Sequence, residues 1–206
     1  ALGRDGTVSP SNRLLLAQIG CGSQGGSNLG SLLGISEVQV VAVCDVDLNN
    51  ANGKQRTVNQ RYGNSDCRVY SDYRELLEKE KLDLVSHAIP DHWHAAISVA
   101  CAKKGLDIYG EKPLARTIRE SRAICDAVDR YGIIWQTGSW QRSVGNFRQA
   151  CELVRNGRIG RLTHVEVGII GINPVSEAPC TLFWPRNGCS PVPSRPICPV
   201  SRASAI

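Results

Sequence analysis

The residues able to do chemistry fall into a few short groups. Gly20-Cys21-Gly22-Ser23-Gln24-Gly25 has the spacing G-x-G-x-x-G. Twenty residues past Gly25 stands Asp45. Pro90-Asp91-His92-Trp93-His94 and Glu111-Lys112-Pro113 follow, then Gln136 to Arg142. A glycine turn between a strand and a helix brings backbone N–H groups up to a pyrophosphate and aims a helix N-terminus at it. Gly20 permits the tight turn, Gly22 leaves room for the phosphate, and Gly25 lets helix and strand pack closely. An acid at the position of Asp45 can accept both hydroxyls of an adenosine ribose and repels a 2′-phosphate. The expected cofactor is therefore NAD rather than NADP. The competing reading of Asp45 is a helix N-cap.

Lys112 precedes Pro113, which biases it toward extended geometry at a strand end. Hydride transfer to or from a nicotinamide needs a partner for the hydroxyl proton. A lysine can serve once burial or nearby positive charge lowers its pKa. The plainer reading is a surface lysine beside a loop proline. His94 lies three residues after Asp91 and is expected to turn toward the same crevice as a hydrogen-bonding group, with Trp93 on the packed side. No carboxylate stands at ligand spacing from it, so a metal site is not expected. His87 reads as a core residue.

These groups need elements to hold them. Leu14–Ile19, Val38–Cys44, Arg68–Tyr70, Leu82–Ile89, Leu106–Gly110 and Ile133–Gln136 read as strands. Between them stand helical stretches: Gly25 to about Leu33, Asn49–Tyr62 closed by Gly63, a segment capped by Asp72 with Glu75, and His92–Lys104 capped by Asp91. Another opens with the capping box Thr117…Glu120, has an inward stripe of Ile118, Ala123, Ile124, Ala127 and Val128, and stops at Gly132. Phe147–Arg155, capped by Asn146, is the last. Strand and helix alternating with short connections predict an α/β fold: a parallel sheet wound on both sides, with ligands beyond the carboxyl ends of the strands.

Composition narrows the function classes. With 42% hydrophobic and 21% charged residues the chain can bury a core. The +5 net charge is scattered, with no basic block and no interleaved aromatics, so nucleic acid is not an expected partner. No apolar run reaches membrane-spanning length. The nine cysteines include no C-x-x-C pair, and the first six read as small buried thiols.

Taken together, Gly20–Gly25, Asp45, Ile89-Pro90-Asp91-His92-Trp93-His94 and above all Tyr109-Gly110-Glu111-Lys112-Pro113-Leu114 resemble the Gfo/Idh/MocA oxidoreductases. The likeness covers roughly residues 2 to 168, and E-K-P is its most specific mark. It implies an NAD(P)-binding Rossmann domain over residues 13–157. Gly20, Cys21, Gly22, Ser23, Gln24, Gly25, Asp45, Pro90, Asp91, His94, Glu111 and Lys112 would bind the cofactor, and Lys112 would be catalytic. Gln141 and Arg142, in Trp140-Gln141-Arg142-Ser143, are similar to a branch rich in exported members and would lie on the substrate side. The implied substrate is a sugar, a polyol or a derivative, and full-length members can be homo-oligomers. Some relatives are glycosidases that oxidise a sugar hydroxyl transiently and restore it. A non-catalytic nucleotide-binding remnant is the third possibility.

The ends of the chain depart from this pattern. Residues 1–12 read as a polar arm similar to the segment after a twin-arginine leader, which implies a periplasmic protein if such a leader preceded Ala1 and a cytoplasmic one otherwise. Arg161–Gly168 alternates, so residues 158–170 are expected to hold the first strand of a second α+β domain that is otherwise missing. Residues 171–206 carry seven of the ten prolines and three cysteines, with neither strand nor helix periodicity, and no D-x-x-x-H pair of the kind that the resemblance implies. They read as an irregular tail, from a frameshift or a genuine proline-rich segment, and with the second domain missing the chain is expected to bind NAD more weakly than a two-domain relative and to turn over little or not at all.

Overall fold

The computed structural model describes Ser9 and residues 12–166. The chain divides into a unit ending at Arg148 and a second beginning at Gln149. The arm and the tail expected at residues 1–12 and 171–206 lie almost wholly outside the described residues.

The first unit is built on six parallel strands: β1 (Leu14–Ile19), β2 (Val38–Cys44), β3 (Arg68–Tyr70), β4 (Leu84–His87), β5 (Asp107–Glu111) and β6 (Trp135–Gly138). Their order is β3-β2-β1-β4-β5-β6. The direction of winding reverses between β2–β1 and β1–β4, which opens a crevice at the carboxyl ends of β1 and β4. Helices α1 (Ser23–Leu32), α2 (Leu48–Tyr62), α3 (Tyr73–Lys79), α4 (His94–Lys103) and α5 (Ile118–Tyr131) make the crossovers, and α6 (Gly145–Arg155) follows β6.

Central strands are apolar on both faces because helices cover both. Leu16, Val40 and Val43 pack with Leu29 and Leu33 from the α1 region and Val58 from α2. Ala17, Ile19, Ala42, Cys44, Val85 and Ile108 pack with Leu76 and Leu77 of α3, Ile97 and Cys101 of α4 and Ala127 of α5. The parity of β2 changes midway. Leu16 pairs with Val40 but Ala17 pairs with Ala42, so Val41 is an extra residue. Val38 and Val40 therefore face α1 and α2, whereas Ala42 and Cys44 face the other layer. This bulge matters for Asp45, because unbroken alternation would send its side chain away from α1.

Several boundaries differ from the sequence expectation. Helix α2 is capped by Asp47, whose side chain accepts from the Asn49 amide, which frees Asp45 from the capping role. Thr117 and Glu120 form the expected capping box. Asp72 caps α3 alone, because Glu75 bonds to Lys79 instead. In α5 the buried positions are Ile124 and Ala127, while Ile118, in the first turn, is 84% exposed. Asp91 does not cap α4 with its side chain. Residues 91–93 form a 3-10 turn, and α4 begins at His94.

In the second unit the helix runs on to Arg155, turns at Gly157 and Gly160 with positive φ, and leads into residues 161–166. Those six residues form no strand, contrary to expectation. Alternation alone cannot hold a strand, since the backbone groups need a ladder partner and none is present among the described residues. Among the described residues no helix is long and apolar enough to cross a membrane.

Candidate functional site: a crevice at the carboxyl ends of β1, β2, β4 and β5

The glycine turn is fixed from two sides. Gly20 has φ +82°, and a Cβ on it would lie 2.1 Å from the Ala88 carbonyl oxygen beyond β4. A Cβ on Gly25 would lie 1.9 Å from the Gly20 carbonyl oxygen. Both glycines are therefore demanded by the packing of β1, α1 and β4. Gly22 is different. Nothing lies within 4 Å of its missing Cβ, so the protein itself does not require a glycine there. The space beside it is open to a ligand approaching the backbone of the turn. Gly22 is also the N-cap of α1, with no side-chain cap bond and no acidic residue in the first turn. Buried Cys21 lies between, and Ser23 and Gln24 stand exposed at the helix start. The N-terminal amides of α1 thus present partial positive charge with no side chain to absorb it. These features fit a dinucleotide pyrophosphate.

Asp45 reaches this turn from β2. Its Oδ2 accepts from the Cys21 amide at 2.6 Å, and its Oδ1 from the Asp47 amide at 2.9 Å. Both oxygens keep lone pairs for further donors, and the carboxylate is half-buried at the adenosine end expected of the crevice. Cys21 carries the cost of this neighbourhood. Burial, then Asp45 and Cys44, push its thiol up to about 12, so it is an inert packing group.

Glu111 closes the opposite end. It is only 4% exposed, and its Oε1 accepts from Gln24 and Asn28 of α1. Its Oε2 accepts from the Lys112 amide at 3.2 Å. A Cβ on Gly138 would lie 2.9 Å from the Glu111 carboxyl, so β6 must present a glycine beside it. Lys112 is exposed, its side chain has no hydrogen bond or ion pair among the described residues, and its bond to Pro113 is cis. A pocket of about 340 Å³ adjoins this end, lined by Gln24, Asn28, Tyr109 and Trp140 among others. Burial and the Glu111 charge raise the Tyr109 phenol there.

The remaining expected residues are distributed differently. Pro90 and Asp91 are exposed on the loop after β4, whose Ala88 abuts Gly20. His94 does not line the crevice. It is fully buried beneath it, with Nε2 3.0 Å from the Ile89 carbonyl oxygen and its ring edge-on to that of His87. Because α4 starts at His94 and not at Asp91, the 3-10 turn swings Trp93 outward instead, 44% exposed against Tyr73. His87 lies in the core, bonded to Ser98. Gln141 and Arg142 stand exposed on a 3-10 turn after β6, and their side chains make no hydrogen bond or ion pair among the described residues. Among the described residues no group of His, Cys, Asp or Glu is arranged to hold a metal. Sequence reading missed Asn28, which was accessible as the i+4 neighbour of Gln24. Gly138 lay within the expected Gln136–Arg142 group, but its closeness to Glu111 comes only from the tertiary fold.

The fold and the crevice define a dinucleotide-binding α/β protein. Residues 14–139 match the model of an oxidoreductase family with an NAD-binding Rossmann fold, and the chain belongs to this family, Gfo/Idh/MocA. It is 37% identical over 92 residues to levoglucosan dehydrogenase of Pseudarthrobacter phenanthrenivorans, covering 45% of this chain and 24% of that one. It is 28% identical over 167 residues to a glycosyl hydrolase family 109 protein of Solibacter usitatus, covering 77% of this chain and 37% of the relative. The crystal structure of myo-inositol 2-dehydrogenase from Lactobacillus plantarum superposes with a TM-score of 0.65 at 26% identity, covering 72% of this chain and 43% of that one. The chain thus spans less than half the length of the relatives it matches.

Proposed function

We propose that this chain is the cofactor-holding part of an NAD-dependent oxidoreductase that acts on a sugar- or polyol-like alcohol. The observation that carries the reading is the continuity of the crevice. Asp45 bonds to the Gly20–Gly25 turn, the turn abuts the β4 loop, and α1 bonds to Glu111 beside Lys112. Asp45 would hold the ribose of an extended dinucleotide, the backbone at Gly22 its pyrophosphate, and Lys112 would stand toward its nicotinamide end. NAD supplies the hydride acceptor. Lys112, in its unprotonated form, would take the proton of the substrate hydroxyl as the carbon gives up its hydride, leaving a carbonyl compound. Glu111 positions Lys112 through its backbone. Gln141 and Arg142 are assigned to the substrate side.

The first test is direct binding of NAD to the purified chain by calorimetry, with Lys112→Ala as the companion. The variant is expected to bind NAD within about threefold of wild type, and in any preparation that turns over to lose about 10²-fold or more in rate. No NAD binding by the folded wild-type chain would overturn the reading. Similarity to a family 109 glycosyl hydrolase favours a second reading, in which the same hydride is returned and a glycosidic bond is cleaved. NADH accumulation with substrate separates the two, because only the net dehydrogenase releases it.

A further inference from the structure

One side chain of β1 is polar where the strand is otherwise apolar. Gln18 is fully buried, and its Nε2 donates to the Gly20 carbonyl oxygen at 2.9 Å and to that of Ile19 at 3.2 Å. A Cβ on Gly25 would lie 3.1 Å from the same nitrogen, so the amide fills the space between β1 and the first turn of α1. Two carbonyl oxygens can face only the NH2 end, which fixes the orientation of the amide. Its Oε1 is then buried without a hydrogen-bond partner among the described residues. A methionine of similar length would carry no such cost. Packing alone therefore does not call for an amide at this position, and what the amide adds is its bond to the turn.

That bond is one of a pair. The Gly20 carbonyl and the Cys21 amide belong to a single peptide group. Gln18 holds its oxygen from the core, and Asp45 Oδ2 accepts its N–H at 2.6 Å from the end of β2. Gly20, at φ +82°, has no Cβ to resist rotation of this plane. Rotation would carry the carbonyl oxygen off the core and toward the Asp45 carboxylate, which repels it. We propose that Gln18 is a positioning residue of the cofactor turn: with Asp45 it clamps the Gly20–Cys21 peptide at both ends and sets the turn to receive a pyrophosphate before the ligand arrives. Binding then spends less free energy on ordering the turn. The inference rests on the dinucleotide reading and adds to it a residue beneath the glycine motif.

Calorimetric titration of NAD into wild type, Gln18→Met, Gln18→Leu and Ser86→Ala tests it, together with the NMR signal of the Cys21 amide in protein isotope-labelled at cysteine. Ser86 is the in-register neighbour of Gln18 on β4, equally buried, with a hydroxyl that has no partner among the described residues, so it controls for the loss of a buried polar group. Both Gln18 variants should weaken NAD about tenfold, and Gln18→Met should keep its urea midpoint within about 0.5 M of wild type. The Cys21 signal should broaden or shift in both, because the peptide is held at one end only, and should sharpen again at saturating NAD. Ser86→Ala should change neither affinity nor signal. NAD affinity within about twofold of wild type in folded Gln18 variants, or an equal loss in Ser86→Ala, would overturn the proposal. So would an unchanged Cys21 signal in the Gln18 variants. Wild type that binds no NAD would instead remove the dinucleotide reading, while the Cys21 signal still decides whether the clamp exists.

Discussion

Glu111 Oε1 accepts from Asn28 Nδ2 and from Gln24 Nε2, each at 3.1 Å, so one buried carboxylate ties the first turns of α1 to the end of β5. The same side chain receives the Lys112 amide, which makes it the mechanical link between the glycine turn and the lysine. Glu111→Ala leaves three donors without their acceptor and should destabilise the protein by about 2 to 3 kcal/mol. Glu111→Gln keeps one acceptor oxygen and should cost about 1 kcal/mol. Urea midpoints with unchanged slope would read both losses. Equal stability of the alanine variant and wild type would show that the link carries no load.

The glycines of the turn divide into two kinds, and substitution separates them. Gly20→Ala meets the Ala88 carbonyl oxygen at a positive φ and should lose about 3 kcal/mol of stability. Gly22→Ala meets nothing and should stay within about 0.5 kcal/mol of wild type. Its effect should fall on NAD affinity, with a loss of about tenfold or more in a calorimetric titration. A Gly22→Ala variant with wild-type affinity would mean that no ligand approaches that backbone.

The alternation of strand and helix was readable in the sequence, because apolar runs such as Leu14–Ile19 and Val38–Cys44 end at glycines and acids that stop them. The parallel direction of the strands followed from that alternation, whereas their order across the sheet is set by the tertiary fold. What escaped was set by contacts distant in sequence or by a single turn of backbone. The bulge at Val41 has no signal in a run of valines, yet it decides which face Asp45 joins. His94 and Trp93 exchanged places because a 3-10 turn of three residues replaced the first turn of α4, a choice that capping rules do not make. Glu111 was expected among the cofactor-binding residues, but its bonds to Gln24 and Asn28 join residues more than eighty positions apart. The pattern at 161–166 shows the converse: alternation supplies a candidate strand, and only a partner makes one.

Asp45 offers a test of cofactor choice. Asp45→Ala removes the acceptor for the ribose hydroxyls and for the Cys21 amide, and NAD affinity should fall by about 10- to 100-fold. Asp45→Asn keeps an acceptor for that amide while removing the charge. It should bind NAD more tightly than the alanine variant and improve NADP relative to wild type. Paired titrations with the two dinucleotides measure this directly. An NADP affinity that does not move in Asp45→Asn would show that the carboxylate charge does not face the 2′ position.

Acid sensitivity should come in part from a histidine under the floor of the crevice. Burial, reinforced by the adjacent His94, depresses His87 to about 3. Its ring is packed against Trp135 and bonded to Ser98. In the unfolded chain the imidazole titrates near its ordinary value of about 6.5. The unfolded state therefore binds the extra proton between about pH 6.5 and pH 3, and stability falls as the pH drops through that window. At about pH 4.5 the loss relative to about pH 7.5 should be 2 to 3 kcal/mol, at about 1.4 kcal/mol per pH unit below the unfolded value. His87→Leu retains comparable volume and removes the titrating group. Its urea stability should lack this component, so the gap between variant and wild type should shift in favour of the variant as the pH is lowered. Parallel pH profiles for the two proteins would place the acid sensitivity elsewhere and contradict the depressed ionisation of His87.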